Sequence, residues 1–204
     1  MMSRLPLPDA ELLWCPDFIP ERERAALFQA LRSQIPWEQH RVRILGREIP
    51  SPRLSCWVGD EGTAYRYSGI LHPPRAWPEA LARVRDAVRQ SCGELFNSVL
   101  ANLYRDGRDS MGFHSDDEAS PGPEPVIASL SLGAPRRFVL RHRKGRGERF
   151  ELVLGDGSLL LMRGPTQRCW RHALPRTAKP VGERINLTFR RIIETRAHPH
   201  EPAT

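Results

Sequence analysis

No stretch of this 204-residue sequence approaches the roughly 20 consecutive apolar residues that cross a bilayer as a helix. Its start, Met1 to Asp9, has two prolines and no hydrophobic signal-peptide core. A membrane partner is therefore not expected. The expected location is the cytoplasm, at the nucleoid in a bacterium, or the nucleus in a eukaryote. Cysteine is scarce: four residues, at 15, 56, 92 and 169, form no CxxC pair, which argues against a zinc ribbon and against a disulfide framework. They are expected to be free structural thiols. There is no internal repeat, so a solenoid or propeller is not indicated.

Acidic residues are also in deficit. Lys and Arg number 31 against 24 Asp and Glu, giving a formal net charge of +7 and a sequence pI near 9.9. Such a surface attracts polyanions, most commonly nucleic acid. The charge is clustered: Arg136, Arg137, Arg141, Arg143, Lys144, Arg146 and Arg149 crowd one window, followed by Arg171, Arg176 and Lys179. The first group reads either as a solvated hairpin or as a set of phosphate contacts. Tyr65 and Tyr67, flanking Arg66, read either as a half-buried strand end or as a base-stacking surface.

Two helices are predicted. The first covers residues 20–34, with proline at its start, acids in its first turn, and Ala25, Leu27, Phe28 and Leu31 on one face. The second runs from Pro78 to Cys92, with Leu81, Val84, Ala87 and Val88 on one side and Gly93 as its stop. After Gly93 the texture becomes β-rich, with expected strands at Ser98–Tyr104, Val126–Leu132, Arg137–His142, Phe150–Val153, Ser158–Met162, Cys169–Ala173 and Arg184–Ile192, and a turn at Asp156-Gly157. Before Gly93, Arg41–Gly46 and Leu54–Val58 read as strands joined by a proline-rich turn. Many short strands imply a sandwich, jelly roll or barrel. The fold class is mainly β with flanking helices (α+β), in a single domain over 1–204. A disordered tail is expected at 194–204, and a monomer throughout.

Two features carry chemistry. On a strand, Arg184, Asn186, Thr188 and Arg190 share one face and Ile185, Leu187 and Phe189 the other. Two guanidiniums turned into a protein interior are costly unless an anion meets them, and a ligand with two carboxylates would do so. Upstream, His114 and Asp116 are two apart and can grip one ion together, with His172 as the best candidate for a third ligand. Two imidazoles and a carboxylate form a facial triad with open positions, suited to ferrous iron.

In order along the chain, Asn97–Tyr104, Gly112-x-His-x-Asp-Asp-Glu118, Ile127–Gly133, Gly157-Ser-Leu-Leu160, His172-x-Leu-Pro175 and the Arg184–Arg190 strand resemble the AlkB family of iron- and 2-oxoglutarate-dependent nucleic-acid dealkylases, especially its eukaryotic-type repair branch. The likeness is densest from Phe96 to Ile193 and extends weakly back to Leu45. It implies a double-stranded β-helix (jelly-roll) core at 94–193, and helices plus a nucleotide-recognition lid at 1–93. It implies that Fe(II) is held by His114, Asp116 and His172. The co-substrate 2-oxoglutarate would contact Asn102 and Tyr104, its carboxylates Arg184 and Arg190, and its pocket Asn186 and Thr188; O2 is the second co-substrate. Asp117 would read the exocyclic amino group of the damaged base, and Tyr67 would stack on that base opposite His114. Tyr65 and the segment Leu45-Gly46-Arg47 would belong to the lid, with Leu45 standing where that branch carries a bulky aromatic. Arg141, Gly147 and the stretch from Arg176 to Lys179 would grip the backbone. The activity implied is oxidative demethylation of N-alkylated bases such as 1-methyladenine and 3-methylcytosine in DNA. The alternatives are the same chemistry on alkylated RNA or a protein side chain, or a catalytically silent nucleic-acid-binding jelly roll.

Overall fold

A computed structural model describes residues 2–44, 47–67, 70–116, 124–145 and 149–192, with backbone alone for 42–44, 47, 65–67 and 70–72. Leu45, Gly46, Asp117, Gly147 and the tail at 194–204 lie outside the described residues, as do the side chains of Arg47, Tyr65 and Tyr67. In chain order the elements begin with β1 Ser3–Leu5, β2 Glu11–Cys15, α1 Glu21–Gln34, β3 Arg41–Ile44, β4 Arg47–Pro50, β5 Leu54–Gly59, β6 Tyr65–Tyr67, β7 Ile70–His72 and α2 Glu79–Cys92. There follow β8 Ser98–Tyr104, β9 Met111–His114, β10 Ile127–Gly133, β11 Arg136–His142, β12 Arg149–Leu154, β13 Ser158–Arg163, α3 Thr166–Cys169, β14 Trp170–Leu174 and β15 Arg184–Arg190.

The strands make a seven-stranded antiparallel sheet in the order β1-β2-β13-β10-β15-β8-β5 and a four-stranded one in the order β12-β11-β14-β9. Two small hairpins, β3–β4 and β6–β7, stand apart from both. The two large sheets form the jelly-roll core of a mainly β fold with three helices among the described residues.

Strand β15 shows why the sheets come together. Every one of its residues is buried. Ile185, Leu187 and Phe189 join Val99, Leu103, Leu130 and Leu132 in a core closed by Leu31 of α1 and Leu81, Val84 and Val88 of α2. The opposite face of the large sheet turns toward the small sheet. There Leu12, Leu160 and Met162 pack on Phe138, Leu140 and Trp170 as a second core. The inner faces of β8, β10 and β15, by contrast, carry Asn102, Ser129, Ser131, Arg184, Asn186 and Thr188, all buried. One end of the sandwich is thus apolar and the other is polar.

The helices begin after Pro20 and Pro78 without a side-chain cap; Glu21, Glu23 and Glu79 in their first turns complement the helix dipole instead. Gly93 ends α2 in the left-handed region at φ +69°. Arg32 of α1 pairs with Glu183 at 3.1 Å, tying the helix to the start of β15. Ala25 and Ala87, expected on the buried faces, are exposed; Leu31 and the trio Leu81, Val84 and Val88 suffice to anchor the helices.

Five strands went unpredicted: β1, β2, β4, β7 and β9. Strand β2 (Glu-Leu-Leu-Trp-Cys) has no period-two alternation, β1 is three residues long, and β9 contains Gly112; each is held by the neighbour it pairs with rather than by local propensity. The segment from 41 to 58 also differs from expectation. Arg41–Ile44 pairs with β4, and Leu54–Gly59 joins β8 in the large sheet, so the proline-rich stretch separates two sheets. The Asp156-Gly157 turn likewise crosses from β12 in the small sheet to β13 in the large one. Gly157 sits at φ +76°, where a Cβ would lie 2.9 Å from the Ile19 carbonyl.

Replacing Phe189 by Ala should remove the largest apolar side chain beneath the polar face of β15. We expect a loss of about 3–5 kcal/mol in urea unfolding at unchanged m-value; a loss below about 1 kcal/mol would contradict this account of the core.

Candidate metal and co-substrate site

Between the sheets, at their polar end, lies a cavity of about 350 Å³. One wall comes from the small sheet, where β14 and β9 place His172 directly opposite His114. Their rings meet edge to face with centroids 4.3 Å apart. Asp116, two residues past the end of β9, sends Oδ2 to 3.4 Å from His172 Nε2 and Oδ1 to 3.8 Å from His114 Nε2. One ligand atom from each of the three residues lies within 4.8 Å of the others. The Nδ1 of His114 is 2.9 Å from the Gly112 carbonyl, so the proton belongs on Nδ1 and the Nε2 lone pair faces the cluster.

Electrostatics suit a metal. Burial, aided by the neighbouring His172, pushes the His114 imidazole down to about 4, although roughly a third of the side chain still touches the cavity. The ring is therefore neutral at physiological pH, the form that binds metal. Burial alone would raise the Asp116 carboxyl, yet Arg190, His172 and His114 outweigh it and hold the group well below the usual carboxylate range. Two imidazoles and one carboxylate are a donor set that fits Fe(II) and leaves coordination positions open.

The opposite wall is the inner face of the large sheet. Register brings Asn186 opposite Asn102 and Arg184 opposite Tyr104. Asn186 donates to Ser129 Oγ (2.8 Å) and to the Leu130 carbonyl (3.1 Å), and its Oδ1 accepts from Thr188 (3.1 Å). The two arginines differ in their partners. Arg190 Nη2 donates to Asp116 Oδ1 at 2.9 Å. Arg184 gives Nη2 to Ser131 Oγ at 2.9 Å and lies 5.2 Å from the centre of the Tyr104 ring. Its buried Nε has no hydrogen-bond partner, and no carboxylate pairs with it among the described residues. Burial lowers the Arg184 guanidinium to about 10, with Tyr104 opposing and Arg136 adding to the shift. A buried guanidinium that lines a polar cavity and has an unsatisfied donor fits an anionic ligand.

Several residues that build the site had no expected role. Arg53 is 5% exposed, lines the cavity and donates Nε to Asn102 Oδ1 at 2.8 Å. Gln167, buried on α3, accepts the Asp116 backbone amide at 2.9 Å, while its own amide group rests 3.6 Å from Met162 Sδ. Arg136, counted in the basic cluster, is instead 3% exposed. It donates to the carbonyls of Asp106, Asp109 and Pro175 at 2.8–3.0 Å, so it braces the cavity rim and is not available to phosphate. Arg53 sits in the proline-rich stretch just before β5, and nothing in that stretch marks it. Nothing local marks Gln167.

Of the residues assigned to nucleic acid, Arg141, Arg176 and Lys179 are exposed. Arg141 holds its guanidinium 5.4 Å from the centre of the Phe113 ring. The loop carrying Arg176 is anchored by the Thr177 amide, which donates to the Gly107 carbonyl at 2.9 Å. Tyr65 and Tyr67 form β6, paired with β7, and Arg47 begins β4. All four cysteines are free thiols, as expected of isolated positions. No described helix is long and apolar enough to cross a membrane.

Residues 11–190 match the family model of the 2OG-Fe(II) oxygenase superfamily. The chain belongs to that superfamily of iron- and 2-oxoglutarate-dependent oxygenases, and within it to the AlkB family. It is 40% identical over 184 residues to the human DNA oxidative demethylase ALKBH2, covering 85% of this chain and 70% of that protein. To the mouse ALKBH2 it is 42% identical over 163 residues, 76% of this chain and 68% of the relative. To the cattle alpha-ketoglutarate-dependent dioxygenase alkB homolog 3 it is 36% identical over 200 residues, 94% and 69% of the two chains. The chain thus spans about two thirds of the length of these relatives. The solved structure of OsALKBH1 superposes with a TM-score of 0.66 at 15% identity, covering 93% of this chain and 99% of that one, which establishes the shared fold.

Gln167→Leu keeps the bulk but leaves the Asp116 amide buried without an acceptor. We expect anaerobic Fe(II) titration to show affinity about 10- to 100-fold weaker, as when other outer partners of metal ligands are lost. An unchanged affinity would remove Gln167 from the support of the site.

Proposed function

We propose that this protein demethylates N-alkylated bases in DNA, using Fe(II) at His114, Asp116 and His172 and 2-oxoglutarate seated against Arg184. The observation that carries this reading is the pairing of two complementary half-sites across one cavity. The three-residue donor set is on the small sheet, and the guanidinium without an anionic partner is on the large one. When bound, iron with 2-oxoglutarate and O2 supplies an oxidant for an N-methyl carbon, and loss of formaldehyde from the hydroxylated product restores the base.

The chain's own residues set the geometry. Arg184 fixes one carboxylate of the co-substrate through charge-assisted hydrogen bonds, aided by Tyr104 beside it. Arg190 holds Asp116 and, having five donors, can reach a second acceptor. Arg53 orients the Asn102 amide. The buried walls exclude water from the reacting groups. For the substrate we propose Tyr67 and Asp117 as the groups that stack on and read an extruded base, with Tyr65, Leu45 and Arg47 in the lid above. Arg141, Gly147, Arg176 and Lys179 are proposed to grip the backbone. Extrusion costs a few kcal/mol and is cheapest where methylation has already broken the pair, which favours 1-methyladenine and 3-methylcytosine. The names of the relatives, DNA oxidative demethylases among them, point to DNA. We further infer that the protein acts as a monomer where the genome is.

Protein loaded anaerobically with Fe(II) and 2-oxoglutarate, then given O2 and a 3-methylcytosine oligonucleotide, should yield succinate and formaldehyde in equal amounts. Binding without turnover by properly loaded protein would favour a silent nucleic-acid-binding jelly roll instead, and turnover on methylated RNA alone would reassign the substrate. His114→Ala or Asp116→Ala should lower turnover by more than about 100-fold while leaving DNA affinity in place. Separately, Arg184→Gln should raise the 2-oxoglutarate Kd by about 30-fold or more, with Fe(II) affinity little changed. A Kd within threefold of the parent would remove Arg184 from the co-substrate site.

A further inference from the structure

On the outer face of the small sheet, strand register places three arginines side by side. Arg149 of β12 lies directly opposite Arg141 of β11, and Arg141 directly opposite Arg171 of β14. Residues opposite one another on adjacent antiparallel strands point to the same side, and all three are exposed. Neighbouring strands are about 4.8 Å apart, so the row spans roughly 10 Å between its outer Cα atoms. Only two of the 31 basic residues in the chain are lysines, so this face presents guanidinium forks rather than mobile ammonium groups.

Like charges in direct cross-strand register destabilise a sheet, and little here offsets them. Glu151 bonds Arg149 at 2.6 Å but is shared with Arg137 at 3.5 Å. Arg171 has no acidic partner among the described residues, and Arg141 has only the face of Phe113. That aromatic is the second, independent feature. Phe113 stands on β9 beside the ligand His114, borders the cavity, and leaves 44% of its surface exposed. An exposed ring on the strand that carries His114 thus lies against the middle of the row, at Arg141.

We propose that this face is a binding track for single-stranded DNA next to the lesion: Phe113 stacks on an unpaired base, and Arg171, Arg141 and Arg149 take the adjacent phosphates. The proposal rests on, and deepens, the nucleic-acid reading above; of these residues only Arg141 figures there. A ring carries a base by stacking only where that base is unpaired, and a positive groove beside aromatics is the recurring design of single-strand surfaces. A duplex could still meet the arginines but would gain nothing from Phe113.

The test needs neither iron nor turnover, so its failure and the failure of the demethylase reading are separable. Metal-free protein is titrated with an unmodified fluorescent dT oligomer and with a blunt duplex, at several salt concentrations. Arg149→Gln/Arg171→Gln should weaken dT binding severalfold or more and lower the slope of log K against log salt by about 0.7 per arginine removed. Arg171→Lys should keep the slope. Phe113→Ala should weaken dT binding about 5- to 100-fold and leave duplex binding within twofold. Unfolding temperatures at or above the parent's for the arginine variants, as relief of like-charge repulsion implies, and near the parent's for Phe113→Ala confirm that the variants are folded. Parental affinity and slope in the double arginine variant would overturn the track, and so would equal loss on dT and duplex in Phe113→Ala.

Discussion

The contact between Arg190 and Asp116, 2.9 Å between side chains 2% and 10% exposed, joins the large sheet to the segment leaving the small one. Its physics explains much of the rest. Taking both charges out of water costs several kcal/mol per ion, so such a pair adds little net stability against an apolar replacement. Loss of one partner, however, leaves the other charge buried and alone. The pair therefore works as a constraint. It fixes Asp116 in position and keeps it ionised, while the Gln167 amide acceptor fixes the backbone behind it. With β14 and β9 holding the two imidazoles opposite each other, the three donor atoms are brought within 4.8 Å of one another.

The division of labour between Arg184 and Arg190 follows from the same geometry. Both lie on the inner face of β15, and the apolar residues alternating with them anchor that strand to the helices. Arg190 stands beside the small sheet's carboxylate, whereas Arg184 stands beside Tyr104 and Ser131, with no anion of the protein in reach among the described residues. Two residues of one type, six positions apart on one strand, thus acquire different jobs from their neighbours. Arg136 extends the pattern. Its guanidinium collects the carbonyls of Asp106, Asp109 and Pro175, so the wall bearing Tyr104 is braced to the loop carrying Arg176 and Lys179. Gly107 makes the approach possible, since a Cβ there would clash with the Thr177 carbonyl.

Much of this was legible in the sequence because it depends on alternation and spacing. The two faces of Arg184–Arg190, the two long helices, and the strands from Ser98 onward other than β9 follow from periodicity. His114 and Asp116 stand out by their spacing. The contributions of Gln167, Arg53 and β9 were not legible, since each exists only through pairing with a segment distant in sequence. Gln167 reaches back 51 residues to the Asp116 amide and Arg53 reaches 49 forward to Asn102. The segment from 41 to 58 misled for a related reason. Local propensity identified strand-forming stretches but could not decide which sheet would take them.

The basic composition is the feature whose meaning changed most. A net charge of +7 invites a nucleic-acid reading, yet Arg53, Arg136, Arg184 and Arg190 are all at most 5% exposed and act inside the protein. The first window of arginines illustrates the point. Arg136 at its start is a buried brace, whereas Arg141 and Arg149 are aligned on the solvent side by strand pairing. Alternation separates them, because 136 and 141 have opposite parity on one strand and so face opposite sides of the sheet. Net charge cannot make that distinction, and sequence clustering cannot either, since Arg171 joins the exposed row from a strand 30 residues further on. What a polyanion would meet is decided by register.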